Sequence, residues 1–251
     1  TTRSKRCLPN VPVLQNNADA IRWEPLGGEF GVYTAPGFRF GTDALRLADF
    51  TLRCVPRPRR MAELGTGCGV LPILWAQARP NAAICAIEIQ DTGANLAAES
   101  ACRSGVSDRV QIICGDLRTW TVPPAGRFDA VAVNPPYFPV QSGAAAADDA
   151  RRIARSDESC TLDDAAQAAA RILTGTGWLC MVLRAERLAD AFASMRRAGL
   201  EPKRMQLVQA DLDHPPKLAL IGARRNARPG MKVECVALLR AASRGNVENP
   251  V

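Results

Sequence analysis

The sequence predicts an α/β fold with a mostly parallel sheet, helices on both faces and an antiparallel end. Three observations carry this. From residue 61 onward, short near-continuous apolar runs alternate with helical stretches, as in a chain that winds strand, helix, strand. Those apolar runs lack polar interruptions, as expected of parallel strands buried on both faces. The last three apolar runs then follow one another without helices between them, which predicts the antiparallel end. A length of 251 residues suits one large α/β domain or two small ones.

The elements follow in order. Residues 1–30 carry Pro9, Pro12 and Pro25 and little periodicity, predicting an extension that is partly strand or loop. The stretch from Thr42 places Ala44, Leu45, Leu47, Ala48 and Leu52 on one helical stripe, with Thr42 as the expected cap and Pro56 and Pro58 beyond the end. Strands are expected at Met61–Leu64, Ala82–Ile89, Val110–Cys114, Asp129–Val133 and Trp178–Leu183. Helices are expected at Val70–Ala78, Thr92–Ser104, Leu162–Leu173 and Glu186–Ala198, several closed by Pro80, Gly105 or Gly199. Met205–Gln209, Lys217–Gly222 and Val233–Leu239 form the expected antiparallel end. The alanine-rich stretch 142–150 reads as a loop.

Composition narrows the function. No apolar run approaches the roughly 20 residues of a membrane helix, and no apolar segment follows the basic N-terminus, so neither a membrane span nor a signal peptide is expected. Nine cysteines without a CxxC pair read as reduced, buried thiols of a cytoplasmic protein. With His214 as the lone histidine, no structural metal site is expected, and a Ser-His-Asp triad has one possible centre. The net charge of +7 is unevenly spread: +5 over residues 1–60, −4 over 61–150 and +6 over 151–251. An acidic middle between basic flanks suits a small-molecule site framed by surfaces for a polyanion.

The chemistry gathers at predicted strand ends. The first core strand runs into Glu63-Leu64-Gly65-Thr66-Gly67-Cys68-Gly69, where alternate glycines before a helix let the backbone approach a ligand closely. The spacing lacks both GxGxxG and GK[ST], which argues against a dinucleotide or a P-loop. Glu63 would repel a pyrophosphate but could hold a cation. Glu88 closes the second strand, about 20 positions further on, where a carboxylate can accept both ribose hydroxyls. Asp116, after the third strand, can accept from an adenine amine or cap the following turn. The fourth strand ends in Asn134-Pro135-Pro136-Tyr137-Phe138, the most specific signal in the chain. An asparagine amide oxygen and the Pro135 carbonyl can both accept from one NH2 group, and an aromatic ring just beyond can stack on a planar substrate.

These four motifs in this order resemble class I S-adenosylmethionine-dependent methyltransferases, whose sheet is seven-stranded and Rossmann-like. The resemblance implies that Glu63, Gly65, Thr66, Gly67 and Gly69 bind the methionine end of the cofactor, with Cys68 of the same turn also expected among the cofactor-binding residues. It implies that Glu88 binds the ribose, that Asp116 and Leu117 lie at the adenine, and that Asn134, Pro135, Pro136 and Tyr137 hold a target amine. The segment Gly37 to Leu45 resembles that of the bacterial valine-tRNA adenine-N6 methyltransferases, in which the positions of Thr42 and Asp43 help close the cofactor site. The runs Ala150–Arg155 and Thr161–Asp164 and the region near Pro216-Lys217 are similar to the same family. Cys68, the alanine loop and the arginines at 224, 225 and 228 depart from it. The implied domain plan is an extension at 1–40 and a single methyltransferase domain at 41–251, with the cofactor core about 60–185 and a basic part at 186–251.

The expected function is N6 methylation of an adenine in tRNA or another structured RNA, with S-adenosylmethionine as cofactor and no metal. Expected RNA contacts are Arg151, Arg152, Arg155, Lys203, Arg204, Lys217, Arg224, Arg225 and Arg228. Three alternatives stand beside it: a glutamine N5-methyltransferase of a release factor, an rRNA guanine-N2 methyltransferase, and an RNA-binding protein with a relic cofactor fold. The first usually carries a helical domain before the glycine motif, whereas the residues preceding Glu63 here are proline-rich. Oligomeric state is not legible in the sequence.

Overall fold

A computed structural model describes residues 21–122, 125–135, 160–211 and 213–239. The described residues open with a hairpin, β1 (Arg22–Gly27) and β2 (Phe30–Thr34), where the sequence led to an expectation of part strand, part loop. Gly27 and Gly28 turn it with positive φ. The hairpin is anchored from outside itself. Gly31 uses both its N–H and its carbonyl on the Ser104 hydroxyl, and the Tyr33 N–H donates to Ser100 Oγ at 2.8 Å. Both serines lie at the carboxyl end of a helix described below.

Helix α1 (Thr42–Cys54) buries Ala44, Leu47, Ala48, Phe50, Thr51 and Cys54. Its N-cap is Gly41 rather than Thr42, without a side-chain cap, and Asp43 supplies the acidic residue of the first turn. The alternation then runs β3 (Arg60–Leu64), α2 (Val70–Ala78), β4 (Ala83–Glu88), α3 (Asp91–Arg103), β5 (Val110–Cys114) and β6 (Phe128–Val133). After it come α4 (Leu162–Ile172), β7 (Leu173–Arg184), a short helical turn at Ala185–Arg187, α5 (Leu188–Arg197), β8 (Leu200–Gln209) and β9 (Leu218–Arg225). Thr161 and Asp164 close a reciprocal capping box at the start of α4.

The main sheet has the order β10-β8-β9-β7-β6-β3-β4-β5, where β10 is Lys232–Val233 and β11 (Ala237–Leu238) also pairs with β8. Strand β9 alone runs against its neighbours. The predicted antiparallel end is therefore one reversed strand, and residues 232–238 return along β8 in parallel instead of forming a third antiparallel strand. Glu234 explains the course of this segment. Its carboxylate receives Arg53 from α1 and Arg204 from β8, which pins the chain between the two short pairings.

Successive strand residues feed opposite faces. Met61, Ala130 and Ala132 join the core under α1, α2 and α3, while Ala62, Val131 and Val133 join the one under α4 and α5. On the first face Trp75 is fully buried and its indole N–H donates to the Ala48 carbonyl. Of the cysteines, Cys54, Cys68, Cys85 and Cys180 are buried free thiols as expected, whereas Cys114 and Cys235 are exposed. Cys102 departs from the expectation of reduced thiols throughout, being disulfide-bonded.

The strand order reverses beside β3: the chain builds outward through β4 and β5, then crosses to β6. In an open α/β sheet the crevice outside the strand carboxyl ends at such a point is the ligand site. Gly69, the N-cap of α2 at φ 84°, lets α2 and α3 meet there, because a Cβ would lie 2.8 Å from the Ala97 Cβ. Gly69→Ala is expected to destabilise by about 1–3 kcal/mol through crowding and the left-handed backbone. A urea titration should show a lower midpoint at unchanged slope; an unchanged midpoint would mean that the two helices separate without cost.

Candidate active site

A cleft of about 470 Å³ opens at the carboxyl ends of β3, β4, β5 and β6. Its floor is the turn after β3. The N–H groups of Gly65 and Thr66 both donate to the Ile87 carbonyl, at 2.8 and 3.1 Å, which folds the turn over β4. Gly65 and Gly67 have φ of 76° and 55°, and a Cβ at either would meet no atom within 4 Å. The backbone is thus bare toward the cleft.

Two carboxylates brace this turn. Glu88, at the end of β4, accepts from the Gly67 N–H at 2.8 Å and from the Gln90 N–H at 3.0 Å. Glu63 is 2% exposed and accepts from the Thr66 hydroxyl. Burial pushes the Glu63 carboxyl well above the usual carboxylate range; the Thr66 hydrogen bond opposes this and the nearby Glu88 charge adds to it. Cys68 also lines the cleft, but burial, with the Glu63 charge, pushes its thiol up to about 12. It is a packing residue and not a nucleophile.

At the end of β5, Asp116 and Leu117 line the cleft. Arg118 folds back on Asp116: its backbone N–H donates at 2.8 Å and its guanidinium at 2.6–3.0 Å. These contacts hold the Asp116 carboxyl below its usual range. Asp116 thus caps its own turn while lining the cleft. Arg171 fastens the same loop by donating to the carbonyls of Leu117, Arg118 and Trp120.

The far wall comes from the end of β6 and from the chain before α1. Asn134 and Pro135 reach the cleft, and the Asn134 amide nitrogen donates to Asp43 Oδ2 at 3.0 Å. Phe38, Arg39, Phe40 and Gly41 complete this wall. Phe38 is held by Gly93, where a Cβ would lie 2.6 Å from the Phe38 ring and 2.9 Å from Glu88 Cγ. The absence of a side chain at Gly93 lets a ring cover the Glu88 stem.

The structure therefore gathers Asp43, Glu63, Gly65, Thr66, Gly67, Cys68, Glu88, Asp116, Leu117, Asn134 and Pro135 around one cleft. Thr42 is exposed beside it and Gly69 lies behind it. Pro136, Tyr137, Arg151, Arg152 and Arg155 lie outside the described residues. Gly93 and Arg118 escaped the sequence reading, the one available signal being Gly93, a glycine inside a helix, whereas Phe38 and Arg39 belong to the segment whose resemblance pointed to the cofactor site without giving them roles.

The expected basic surface separates. Lys217 precedes β9 at the cleft edge and bonds Ala185 just beyond β7. Arg224, Arg225 and Arg228 fall toward the opposite edge, because β9 runs against the parallel strands, whereas Lys203 and Arg204 lie mid-strand in β8, Arg204 in the register of Glu63. Several are engaged in the fold. Arg204 is paired with Glu234, Arg225 donates to the Ala170 and Leu173 carbonyls, and Lys203 donates to the Arg228 carbonyl. None of these five lines the cleft. His214 pairs with Asp211 on the surface. Among the described residues no cluster of ligating side chains suits a metal, and no helix is long and apolar enough to cross a membrane.

Comparison with known proteins agrees with this geometry. Residues 26–197 match the family model described as methyltransferase small domain. A tRNA1(Val) (adenine(37)-N6)-methyltransferase of Bacteroides fragilis is 30% identical over 185 residues, covering 73% of this chain and 76% of that one. One of the same name from Porphyromonas gingivalis is 31% identical over 162 residues, covering 62% of this chain and 63% of its own length. In fold, the chain is similar to a predicted O-methyltransferase of Agrobacterium tumefaciens, with TM-score 0.63, 18% identity and coverage of 80% and 89%. It is also similar to a ribosomal protein L11 methylase of Lactobacillus delbrueckii, with TM-score 0.52, 19% identity and coverage of 77% and 84%.

Glu63 makes the cleft sensitive to pH. Its folded-state pKa is raised, so the folded chain binds a proton more tightly than the unfolded chain. Stability is therefore lost as pH rises from the ordinary carboxylate range through the raised value. Glu63→Gln, neutral and of the same shape, should remove this loss. Thermal unfolding at pH 5 and pH 8 should show the variant gaining on the wild type as pH rises; parallel pH profiles would show that Glu63 is not strained by burial.

Proposed function

This chain belongs to the methyltransferase small domain family, and on that premise we propose that it methylates the N6 amine of an adenine in tRNA. The observation that carries the reading is Asn134-Pro135 at the end of β6, opening on the cleft beside the glycine turn. The names of the relatives at about 30% identity support a valine tRNA, with the adenine next to the anticodon as acceptor. Such a substrate places the enzyme in the cytoplasm. We further propose that residues 41–251 work as one catalytic domain with 1–40 as an extension whose last residues, Phe38 to Phe40, wall its cleft.

The cleft fits S-adenosylmethionine on its own chemistry. Glu63, Glu88 and Asp116 present carboxylates to a space bordered by bare glycine backbone, a donor set that attracts a cation bearing hydroxyl and amine groups and repels a pyrophosphate. Glu63 and the Gly65–Gly67 backbone are proposed to hold the amino-acid end. Glu88 keeps unused lone pairs on oxygens that already accept N–H bonds, and these suit the ribose hydroxyls. Asp116 and Leu117 suit the adenine, with Arg118 giving way at Asp116 or sharing it. Bound S-adenosylmethionine supplies an electrophilic methyl group carried on a sulfonium.

The protein's part is to prepare the acceptor. An aromatic exocyclic amine is a poor nucleophile because its lone pair is delocalised into the ring. The Asn134 amide oxygen and the Pro135 carbonyl accept its two N–H bonds, draw it toward tetrahedral geometry and stabilise the positive charge developing on nitrogen. Holding amine and methyl in line provides the remaining acceleration, and no strong base is needed. The target base must leave its stack to enter the cleft, and Tyr137 is proposed as its stacking platform. For the RNA backbone we propose Arg151, Arg152 and Arg155, joined by Lys217 and the exposed Arg39 at the cleft edge.

Labelled methyl transfer to total tRNA, followed by nucleoside analysis, tests the reading. N6-methyladenosine is expected; N2-methylguanosine, or label in protein alone, overturns it. Asn134→Ala should keep cofactor affinity and lower the single-turnover rate by about 10²- to 10³-fold. A residual rate above about a tenth, a barrier change under roughly 1.4 kcal/mol, would remove the amine-activating role. Neutralising Arg39 and Lys217 together should flatten the plot of log RNA affinity against log salt by up to about two units. Neutralising Arg224 and Arg228 should leave that slope unchanged; the reverse pattern would place the RNA on the opposite edge.

A further inference from the structure

We propose that Asp43 is a positioning residue that sets the Asn134 amide in its accepting orientation. The proposal rests on the adenine-methylation reading, since orientation matters only if Asn134 must accept from a substrate amine. A carboxamide has two ends of nearly equal shape, and only one accepts a hydrogen bond. Turned by half a rotation, Asn134 would present an NH2 to the substrate NH2, donor against donor, and would oppose the positive charge developing there.

Asp43 makes the two orientations unequal. Its carboxylate has acceptors only, and its Oδ2 lies 3.0 Å from Asn134 Nδ2. In the flipped state the amide oxygen would face a carboxylate oxygen across that distance. The chosen state places the amide nitrogen on Asp43 and makes the carbonyl oxygen the end that accepts. A charged acceptor on the nitrogen also polarises the amide, adding negative charge to that oxygen.

A second observation shows that this carboxylate has a built seat. Asp43 lies in the first turn of α1, two residues after the N-cap Gly41. A Cβ at Gly41 would lie 2.5 Å from Asp43 Oδ1, so a side chain there would push this carboxylate oxygen from its place. Asp43 and Asn134 stand 91 positions apart in the chain, and the first turn of α1 meets the end of β6 at this hydrogen bond.

Three measurements test the proposal. Asp43→Asn keeps the shape of the side chain and removes its preference for the donor end. At saturating cofactor and acceptor, the single-turnover rate should fall about 10- to 100-fold. Cofactor affinity by calorimetry should stay within about threefold. The losses of Asp43→Asn and Asn134→Ala should not add, the double variant being no slower than Asn134→Ala alone. Gly41→Ala, which crowds the carboxylate without removing it, should lower the rate in the same sense and carries the test if Asp43→Asn does not fold.

A drop in cofactor affinity with the rate preserved at saturation would overturn the proposal and leave Asp43 as part of the cofactor wall. Additive losses would overturn it as well. The side-chain NH2 resonances of Asn134, in protein labelled with 15N, give a readout without substrate. They should move in Asp43→Asn, and if they do not, the positioning contact is refuted even in an active enzyme. If they move as expected but the wild type makes no N6-methyladenosine in tRNA, the adenine reading fails while the orienting contact stands.

Discussion

The hydrogen bond from the Gly67 N–H to the Glu88 carboxylate is the constraint around which the site is organised. It joins the turn after β3 to the end of β4, at 2.8 Å, while the second Glu88 oxygen holds the start of the segment leading into α3. A turn with repeated positive φ has little reason to keep one shape by itself. The carboxylate below it and the Ile87 carbonyl beside it make it a single surface. Phe38 can cover the Glu88 stem only because Gly93 has no side chain, so the wall before α1 is registered on the same carboxylate.

The same arrangement places function and stability in opposition. Glu63 is buried to 2% exposure beside a second carboxylate, which disfavours its charged form. A purely structural position of this kind would be better filled by an apolar or neutral residue. A cationic ligand, as proposed for this cleft, would favour the carboxylate that burial disfavours. The buried Cys68 thiol beside it takes no part in chemistry, which separates two cleft residues that composition alone treats alike.

The central strands were legible because burial on both faces leaves uninterrupted apolar runs, as in β4 and β6. The strand-end acids were legible because sequence order maps directly onto one sheet edge when strands are parallel. The hairpin was legible only as part strand, part loop: Pro25 interrupts the pattern of β1, and its anchors are Ser100 and Ser104 at the end of α3, which no local reading associates with it. The helix cap at Thr42 was misread by one residue: the N-cap is Gly41, which has no side chain to cap with. How the basic residues are distributed over the sheet was not legible for a topological reason. One reversed strand, β9, carries Arg224 and Arg225 to the edge away from the cleft, and a count of charges is blind to direction. Arg204 and Arg225 were further disguised by partners distant in sequence, Glu234 and the Ala170 and Leu173 carbonyls.

The claim most central to this account is that the Glu88 carboxylate organises a cofactor cradle. Calorimetric titration of S-adenosylmethionine into the wild type and Glu88→Ala, with urea midpoints confirming that both are folded, tests it most directly. Loss of the ribose acceptors and of the brace under Gly67 should weaken binding by about 2–4 kcal/mol, roughly 30-fold or more. An affinity equal to that of the wild type in a folded variant would contradict it and leave Glu88 a strand-end carboxylate with no part in the cofactor site.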